Sequence, residues 1–517
     1  MVDPVVEAGF APGGQRIGLP TVASSLLIAG TTSDAGKSVV VTALCRAFAR
    51  RGLRVAPFKA QNMSNNSMVV AGPSGYGEIG RAQWTQSSAA RAEPEVAMNP
   101  VLLKPGGDRR SHVVVMGQPA GAVSSRDFVD GRAHLAAAAH EAYDDLAGRY
   151  DLVVCEGAGS PAEINLRAGD YVNMGLARHA HMPVVVVGDI DRGGVFAAMY
   201  GTVGLLEPAD QRLVAGFVVN KFRGDPGLLE PGLRQIEELT GRTTYGVLPW
   251  SPDVWLDSED ALDIPGPATS QGRALRVAVV RFPRISNFTD IDALALEPDV
   301  EVEFATSPRS VRGADLVVLP GTRATINDLD WLRQRGLDRA VADHAAAGGT
   351  VLGICGGFQM LGWTIRDPHG VEVEPGTVVE GLGLLDTETE FSQDKALRLP
   401  TGTGLGAAVS GYEIHHGRVV ADSGEEFPGG VRRGVVSGTM WHGSLESDDF
   451  RAAMLAEVAE RAGITREPSG VCFADARERR LDLLGDLAEA HMDVDGLLAL
   501  ARDGAPAMPM LQPGAGR

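Results

Sequence analysis

The sequence is poor in several things, and each shortage excludes something. Its four cysteines, Cys45, Cys155, Cys355 and Cys472, are scattered over 517 residues with no C-x-x-C pair. That argues against a disulfide framework and a cysteine zinc site, and it suits a reducing cytoplasm. Basic residues are outnumbered, 47 Lys and Arg against 66 Asp and Glu, for a net charge of −19. A chain of that sign lacks the electrostatic footprint of a general nucleic-acid binder, although a local phosphate site remains open to it. No apolar run approaches the ~20 residues of a membrane span, so no membrane partner is expected. The opening MVDPVVEAGFAPGGQRIG has no basic start followed by an apolar block. Residues 1–20 read as a disordered lead-in and not as a secretory signal.

What is present is a chain too long for one core, with the apolar content of an ordinary globular protein, so two or three domains are expected. The stretch that organises the first is Leu26–Ser38, LLIAGTTSDAGKS. An apolar strand, a short polar loop with Gly30 and Gly36, and a helix-patterned run from Val39 to Arg50 make the layout of a phosphate cradle. Backbone N–H groups of Thr31, Thr32, Ser33, Asp34, Ala35 and Gly36 would face phosphate oxygens, Lys37 would add charge, and the Ser38 hydroxyl could hold Mg²⁺. The loop departs from G-x-x-x-x-G-K-[ST], because Gly30 and Gly36 are one residue too far apart and Thr31 stands where the first glycine would be.

Further strands are expected at Val55–Phe58, Leu152–Cys155, Val184–Val187, Gly216–Val219 and Thr244–Gly246. Runs such as PVVVVG are apolar throughout, as parallel strands covered on both faces are. This is the pattern of a doubly wound α/β domain, whose ligands sit at the carboxyl ends of the strands. The polar runs after those strands are KAQNMSNN, EGAGSP, DIDRGG and NKFR, which brings Lys59, Glu156, Asp189, Asp191, Arg192 and Asn220 to the cradle's edge. Residues 252–273, acidic and then rich in Pro, Gly and Ser, read as a linker. A second alternating α/β domain follows, with strands at Leu275–Val280, Glu301–Phe304, Asp315–Leu319 and Thr350–Ile354, and a β-rich stretch over 375–440. The end, DGAPAMPMLQPGAGR, is of low complexity and is expected to be disordered.

In the second domain, VLGICGGFQ at Val351–Gln359 ends an apolar strand in G-x-C-x-G, the cysteine counterpart of the nucleophile elbow. Glycines two before and two after Cys355 let the chain turn sharply and present the thiol at the start of a helix. A base is needed, and His415, His416 and His442 are the candidates. The loop at Gly321, after the Leu319 strand, could lend an N–H to an oxyanion hole.

These residues are familiar in combination. Val351–Gln359 resembles the nucleophile region of class I (triad-type) glutamine amidotransferases, and Trp441-His442-Gly443 their histidine motif. Gly30–Ser38 resembles the loop of dethiobiotin synthetase-like ATPases. Joined in this order, with KAQNMSNNS, NPVLLKP, EGAGSPAEINL, DIDRGG, PRISNFTD and GYEIHHG, they closely resemble the cobyric acid synthase family. The resemblance implies an N-terminal doubly wound P-loop amidoligase domain (21–251), the linker (252–273), a C-terminal α/β amidotransferase domain (274–460) and an extension (461–517). It implies amidation of four peripheral carboxylates (b, d, e and g) of adenosylcobyrinic acid a,c-diamide, with L-glutamine as nitrogen donor and ATP and Mg²⁺ as cofactors. By the same resemblance Cys355 is the nucleophile and His442 its base, with Gly356 and Gly321 at the oxyanion. Ser38 and Glu156 hold Mg²⁺, Asn220 reads adenine, Lys59 faces substrate carboxylates, and Asp189, Asp191 and Arg192 lie near the transfer site. Ser444 stands where many triad amidotransferases carry a glutamate, which leaves Glu446 as a weak candidate for orienting His442.

Three rivals have their own signatures. Cobyrinic acid a,c-diamide synthase shares both domain types, but KAQNMSNNS and DIDRGG favour the first reading. A partitioning-type switch ATPase would carry a second lysine where Thr32 stands. A scaffold with a dead glutaminase would not need both Cys355 and His442.

Overall fold

The computed structural model describes residues 24–72, 75–105, 110–124, 132–251 and 274–511. The expected lead-in, the linker over 252–273 and the last six residues lie outside the described residues.

The apolar runs of the first half form one six-stranded sheet. Its strands are β1 (Ser24–Gly30), β2 (Val55–Phe58), β3 (Leu152–Glu156), β4 (Val184–Asp189), β5 (Val214–Phe222) and β6 (Thr243–Pro249), in the order β6-β5-β4-β1-β3-β2. Every pairing is parallel, which requires a helical or equally long crossover between neighbours and cover on both faces. One face packs on Leu135, Tyr143, Met174 and Leu176. The other packs on α1 (Lys37–Arg50), through Val40, Val41, Leu44 and Phe48. The order reverses at β1, so the loop after β1 opens at the topological switch point, where ligands of such sheets bind.

Residues 61–124 carry an addition that the sequence reading does not anticipate. Short strands at Gln61–Met63, Val101–Pro105, Arg110–Val115 and Gln118–Ser124 form one small sheet, and Ser67–Gly72 pairs with Gly75–Gly80 in a hairpin. These segments are short, several carry glycine or proline, and they lack clean alternation, so they give little strand signal. Between the hairpin and the rest lies α2 (Arg81–Ala89), nearly all of it buried.

The second half holds a seven-stranded sheet. Its parallel part is β7 (Leu275–Val280), β8 (Val300–Ala305), β9 (Leu316–Leu319) and β10 (Thr350–Ile354), followed by α3 (Gly356–Leu361). Later come the long pair β11 (Thr387–Arg398) and β12 (Glu413–Ala421), then β13 (Glu425–Phe427), β14 (Gly430–Arg433) and β15 (Val436–Thr439). The sheet order is β8-β7-β9-β10-β15-β14-β13, with β15 also parallel to β10, and β11 and β12 pair antiparallel in a separate mixed sheet.

After α4 (Asp448–Arg461) the chain returns to the first domain. α5 (Phe473–His491) and α6 (Val494–Asp503) bury Leu481, Leu484, Ala488, Leu497 and Leu500 in the same core as Val40 and Leu44 of α1. Each buried leucine is worth about 1.5–3 kcal/mol of burial. A row of ion pairs sets the register, with Arg46 on Glu478 (2.7 Å), Arg50 on Asp482 and Asp486 (2.7 and 2.6 Å) and Arg51 on Glu489 (2.8 Å). The expectation of disorder at the C-terminus does not hold for 504–511. Leu511 is buried, its N–H donates to Gln211 Oε1 (2.8 Å) and its carbonyl accepts from Gln211 Nε2 (3.0 Å), while Arg242 Nη1 donates to the Pro509 carbonyl (2.5 Å). An extended Pro-containing segment offers free backbone groups, and buried side chains of the first domain take them up.

Candidate active site

The loop after β1 is held in shape before any ligand arrives. Gly36 has φ +91°, and a Cβ there would fall 1.9 Å from Asn220 Nδ2, so only glycine fits. Asn220, at the end of β5, donates to the Ala35 carbonyl (3.0 Å). Lys37 Nζ folds back onto the carbonyls of Thr32 and Ser33, at 2.9 Å each. Ser38 Oγ donates to Glu156 Oε1 (2.9 Å), where the end of β3 lies beside the start of α1.

Glu156 is the hub of this end. Lys59 Nζ sits 2.9 Å from its Oε1, and Gln86 Nε2 from α2 donates to its Oε2 at 2.5 Å. Burial alone would push this carboxyl up, but Lys59, Gln86 and Lys37 outweigh it and hold it below the usual carboxylate range. A hydroxyl and an ionised carboxylate converging at a phosphate cradle form the hard-oxygen donor set that suits Mg²⁺. Among the described residues no cluster of three or more His, Cys, Asp or Glu could hold a metal by itself, which fits an ion that is carried largely by phosphate and water.

In the second half Cys355 takes φ +50° and ψ −110° between β10 and α3, a strained conformation for a side-chain-bearing residue. The chain is pinned there by the Cys355 N–H on the Thr439 carbonyl (2.7 Å). A Cβ on Gly357 would lie 1.9 Å from the Leu319 carbonyl oxygen, so the elbow can sit against β9 only with glycine there. The backbone of the 320–322 loop lies against Gly356, and the Gly321 Cα faces His442: added carbons on Gly356 and Gly321 would reach Thr322 N at 3.1 Å and His442 Cε1 at 2.7 Å.

His442 is buried, and the Cys355 sulfur is close enough to act on its imidazole. Its Nδ1 lies 2.7 Å from Asp290 Oδ2, and Asp290 Oδ1 accepts the Gly443 N–H (2.6 Å). The Tyr412 ring stacks on it at 5.3 Å. Burial alone would drive this imidazole down, but the Asp290 carboxylate and the Cys355 sulfur outweigh that and raise it from 6.5 to about 10. The site therefore holds a charged imidazolium ready to give its proton to a leaving amine.

Residues 26–264 match the CobQ/CobB/MinD/ParA nucleotide binding domain, and residues 276–450 match the CobB/CobQ-like glutamine amidotransferase domain. A cobyric acid synthase of Mycolicibacterium vanbaalenii is 68% identical over 494 residues, covering 95% of this chain and 99% of the relative. One of Mycobacterium tuberculosis is 68% identical over 497 residues, covering 95% and 100%. The chain belongs to the cobyric acid synthase family.

With the family in hand, the placement of each expected residue can be read. Cys355, His442, Gly356 and Gly321 converge, as do Lys37, Ser38, Glu156 and the cradle loop. The orienting acid is Asp290, and Glu446 is not: Glu446 pairs instead with Arg81 (3.2 Å) and Arg477 (2.7 Å). Asp290 closes the run PRISNFTD, but nothing in that run marks it as the partner of a histidine 152 residues on. His415 and His416 are not the base. Their Nδ1 atoms meet the Gly417 and Ser392 carbonyls (2.8 and 3.1 Å), and both line the cavity that Cys355 opens onto. Lys59 stands at the phosphate end on Glu156. Asp189, Asp191 and Arg192 gather at the cradle's outer side. Lys221 bridges Asp189 Oδ2 (2.8 Å) and the Asp34 carbonyl (2.9 Å), Arg192 meets Asp34 (3.2 Å), and Arg223 meets Asp191 (3.1 Å). Sequence reasoning missed Gln86 and Lys221; Lys221 follows Asn220 directly, whereas Gln86 carries no signal beyond its place on a polar helix.

The two halves share a buried interface. Asn287 Oδ1 accepts the Ser67 N–H (2.9 Å), Glu78 pairs with both Lys104 of its own half and Lys395 of the other, and Met68 and Val69 pack on Tyr412 and Ile414. The cavity at Cys355 is accordingly walled by Asn65 and Lys104 on one side and by Arg323, Gln359 and Lys395 on the other. No helix of the described residues is long and apolar enough to cross a membrane.

Proposed function

We propose that this chain amidates the b, d, e and g carboxylates of adenosylcobyrinic acid a,c-diamide, using ATP and L-glutamine. One observation carries the reading: a Cys355–His442–Asp290 triad opens onto a cavity whose far wall belongs to the half that holds the phosphate cradle. High identity to relatives named cobyric acid synthase supports it.

A carboxylate is a poor electrophile, so it is first phosphorylated. The acceptor carboxylate attacks the terminal phosphorus of ATP, ADP leaves, and an acyl phosphate forms. Lys37 and the N–H groups of the 31–36 loop take the phosphate oxygens, for which Lys37 must leave the Thr32 and Ser33 carbonyls. Ser38 and Glu156 would hold Mg²⁺, which when bound neutralises phosphate charge. Asn220, which buttresses Ala35, is at hand for the nucleotide, and Lys59 keeps Glu156 ionised.

In the other half the Cys355 sulfur attacks the glutamine amide, the N–H groups of Gly356 and Gly321 hold the oxyanion, and His442 gives its proton to the departing nitrogen. Ammonia leaves and a glutamyl thioester remains. His442 then takes a proton from water, which hydrolyses the thioester to glutamate. Ammonia displaces phosphate from the acyl phosphate: R–CO–OPO₃²⁻ + NH₃ gives R–CO–NH₂ + HPO₄²⁻.

The deciding experiment is mass spectrometry of the corrinoid after incubation with ATP, Mg²⁺ and glutamine. Four amides gained on the a,c-diamide establish the reading. Amidation of cobyrinic acid at a and c instead would replace it with the diamide synthase.

A further inference from the structure

On the proposed function, ammonia made at Cys355 is consumed near Glu156, and side-chain amides recur in the contacts that connect those two residues. Asn65 lines the Cys355 cavity beside Asn287, and Asn287 holds the Ser67 N–H two residues on. The intervening Asn66 accepts the Arg81 N–H with its carbonyl (3.0 Å), which places it at the start of α2. One turn into α2, Gln83 Oε1 accepts from Asn62 Nδ2 (3.0 Å), and a Cβ on Gly80 would touch both, at 2.7 and 2.4 Å. On the next turn Gln86 donates to Glu156. Gln83 and Gln86 are fully buried.

Three atoms in this file are buried without a hydrogen-bond partner: Asn65 Oδ1, Gln83 Nε2 and Gln86 Oε1. A buried unpaired polar atom is costly and calls for an explanation. Taken in the order of the contacts just described, from the Cys355 cavity to Glu156, the three atoms are an acceptor, a donor and an acceptor. Ammonia has three N–H donors and one lone pair, and it can be passed between such atoms without meeting bulk water, where it would be protonated.

We propose that ammonia crosses between the two sites along this amide file, Asn65, then the Asn62–Gln83 pair, then Gln86. This rests on the function proposed above and adds the residues that make the transfer efficient. It also gives the KAQNMSNNS run a task that the phosphate cradle and the triad leave unassigned.

The test compares Gln83→Met and Asn62→Leu with the wild-type chain. Both changes are close in volume and remove the amide, neither residue lines the Cys355 cavity, and they sit on different elements, so one still reports if the other fails to fold. Three rates are measured: glutamate release, amidation with glutamine, and amidation with added ammonium chloride. The expected result is an unchanged glutaminase and an unchanged ammonium-supported rate. Glutamine-supported amidation falls about tenfold, the cost of one lost hydrogen-bonding partner on the route, and the missing nitrogen appears as free ammonia. The proposal is overturned if amides formed per glutamine cleaved stay at the wild-type ratio, or if both nitrogen sources lose rate in parallel. Failure of the underlying reading would look different: the wild-type chain would form no amide from either source.

Discussion

Asp290→Asn isolates the least expected member of the triad. In the native site one carboxylate oxygen takes the His442 Nδ1 proton at 2.7 Å and the other takes the Gly443 N–H at 2.6 Å. An asparagine keeps the shape and one of those contacts. With its oxygen on Gly443 N–H, its NH₂ faces Nδ1 and forces the wrong tautomer, with the Nε2 proton aimed at Cys355. The charge is lost as well. Lifting His442 from 6.5 to about 10 corresponds to ~5 kcal/mol of imidazolium stabilisation shared between Asp290 and Cys355. The same substitution in a serine-protease triad costs about 10⁴ in kcat, equivalent to about 5 kcal/mol. Glutamate release by Asp290→Asn should fall by about 10³–10⁴ on that scale, while amidation from ammonium chloride proceeds at the wild-type rate. Glu446→Gln, the control, removes the charge that pairs with Arg81 and Arg477 but leaves the His442–Asp290 contact in place, and it should keep glutamate release within about threefold. Wild-type glutaminase in Asp290→Asn, or a collapse in Glu446→Gln instead, would refute the assignment.

The division of labour gives two further outcomes. Cys355→Ala should abolish glutamine-dependent amidation and spare the ammonium-dependent rate; loss of both in a folded protein would remove the two-site scheme. Lys37→Ala should abolish amidation from either nitrogen source while Cys355 still releases glutamate, and product formed from ammonia would overturn the cradle assignment. His442 also makes stability depend on pH. Its folded value lies above its unfolded 6.5, so its contribution is complete below pH 6.5 and is lost as pH rises through about 10. The Tm advantage of the wild-type chain over His442→Gln should therefore shrink between pH 6.5 and 10; an advantage that grows over that range contradicts the buried imidazolium.

Much of the frame can be read from the residues. Parallel strands sandwiched between helices leave unbroken apolar runs, so all six strands of the first sheet announce themselves, and so does the switch point at Gly30. The elbow is equally plain, because only glycine can let Cys355 come so close to β9. What the sequence conceals is long-range pairing between residues with no local periodicity. Asp290 lies 152 residues before His442; its short helical turn gives no reason to choose it over Glu446, four positions from the histidine. The strands over 61–124 fail for a related reason: they are short, interrupted by glycine and proline, and their apolar residues (Val101, Leu103, Val113) are buried without a regular alternation that would mark them as strands. The low-complexity end misleads in the opposite sense, since composition records few apolar groups and cannot record that Gln211 and Arg242 wait to bond its backbone.

The return of the C-terminus bears on how the two chemistries stay together. α5 and α6 follow the amidotransferase sheet in sequence, yet they pack on α1, the helix that begins at Lys37 and Ser38. At its first turns α5 also sends Arg477 to Glu446, four residues past His442. Arg81 reaches the same glutamate from α2, whose other end supplies Gln86 to Glu156. Helix α2 thus touches the histidine loop at one end and the phosphate-binding apparatus at the other, while α5 ties the histidine loop to the last turns of α1. Packed cores shift between discrete arrangements and do not deform smoothly, so a separation of the domains must break the Glu446 pairs, the Glu78–Lys395 pair, and the buried faces of α2 and α5 together. The linker over 252–273 then need only connect the domains; what holds the nitrogen source against its acceptor is the chain's second crossing between them.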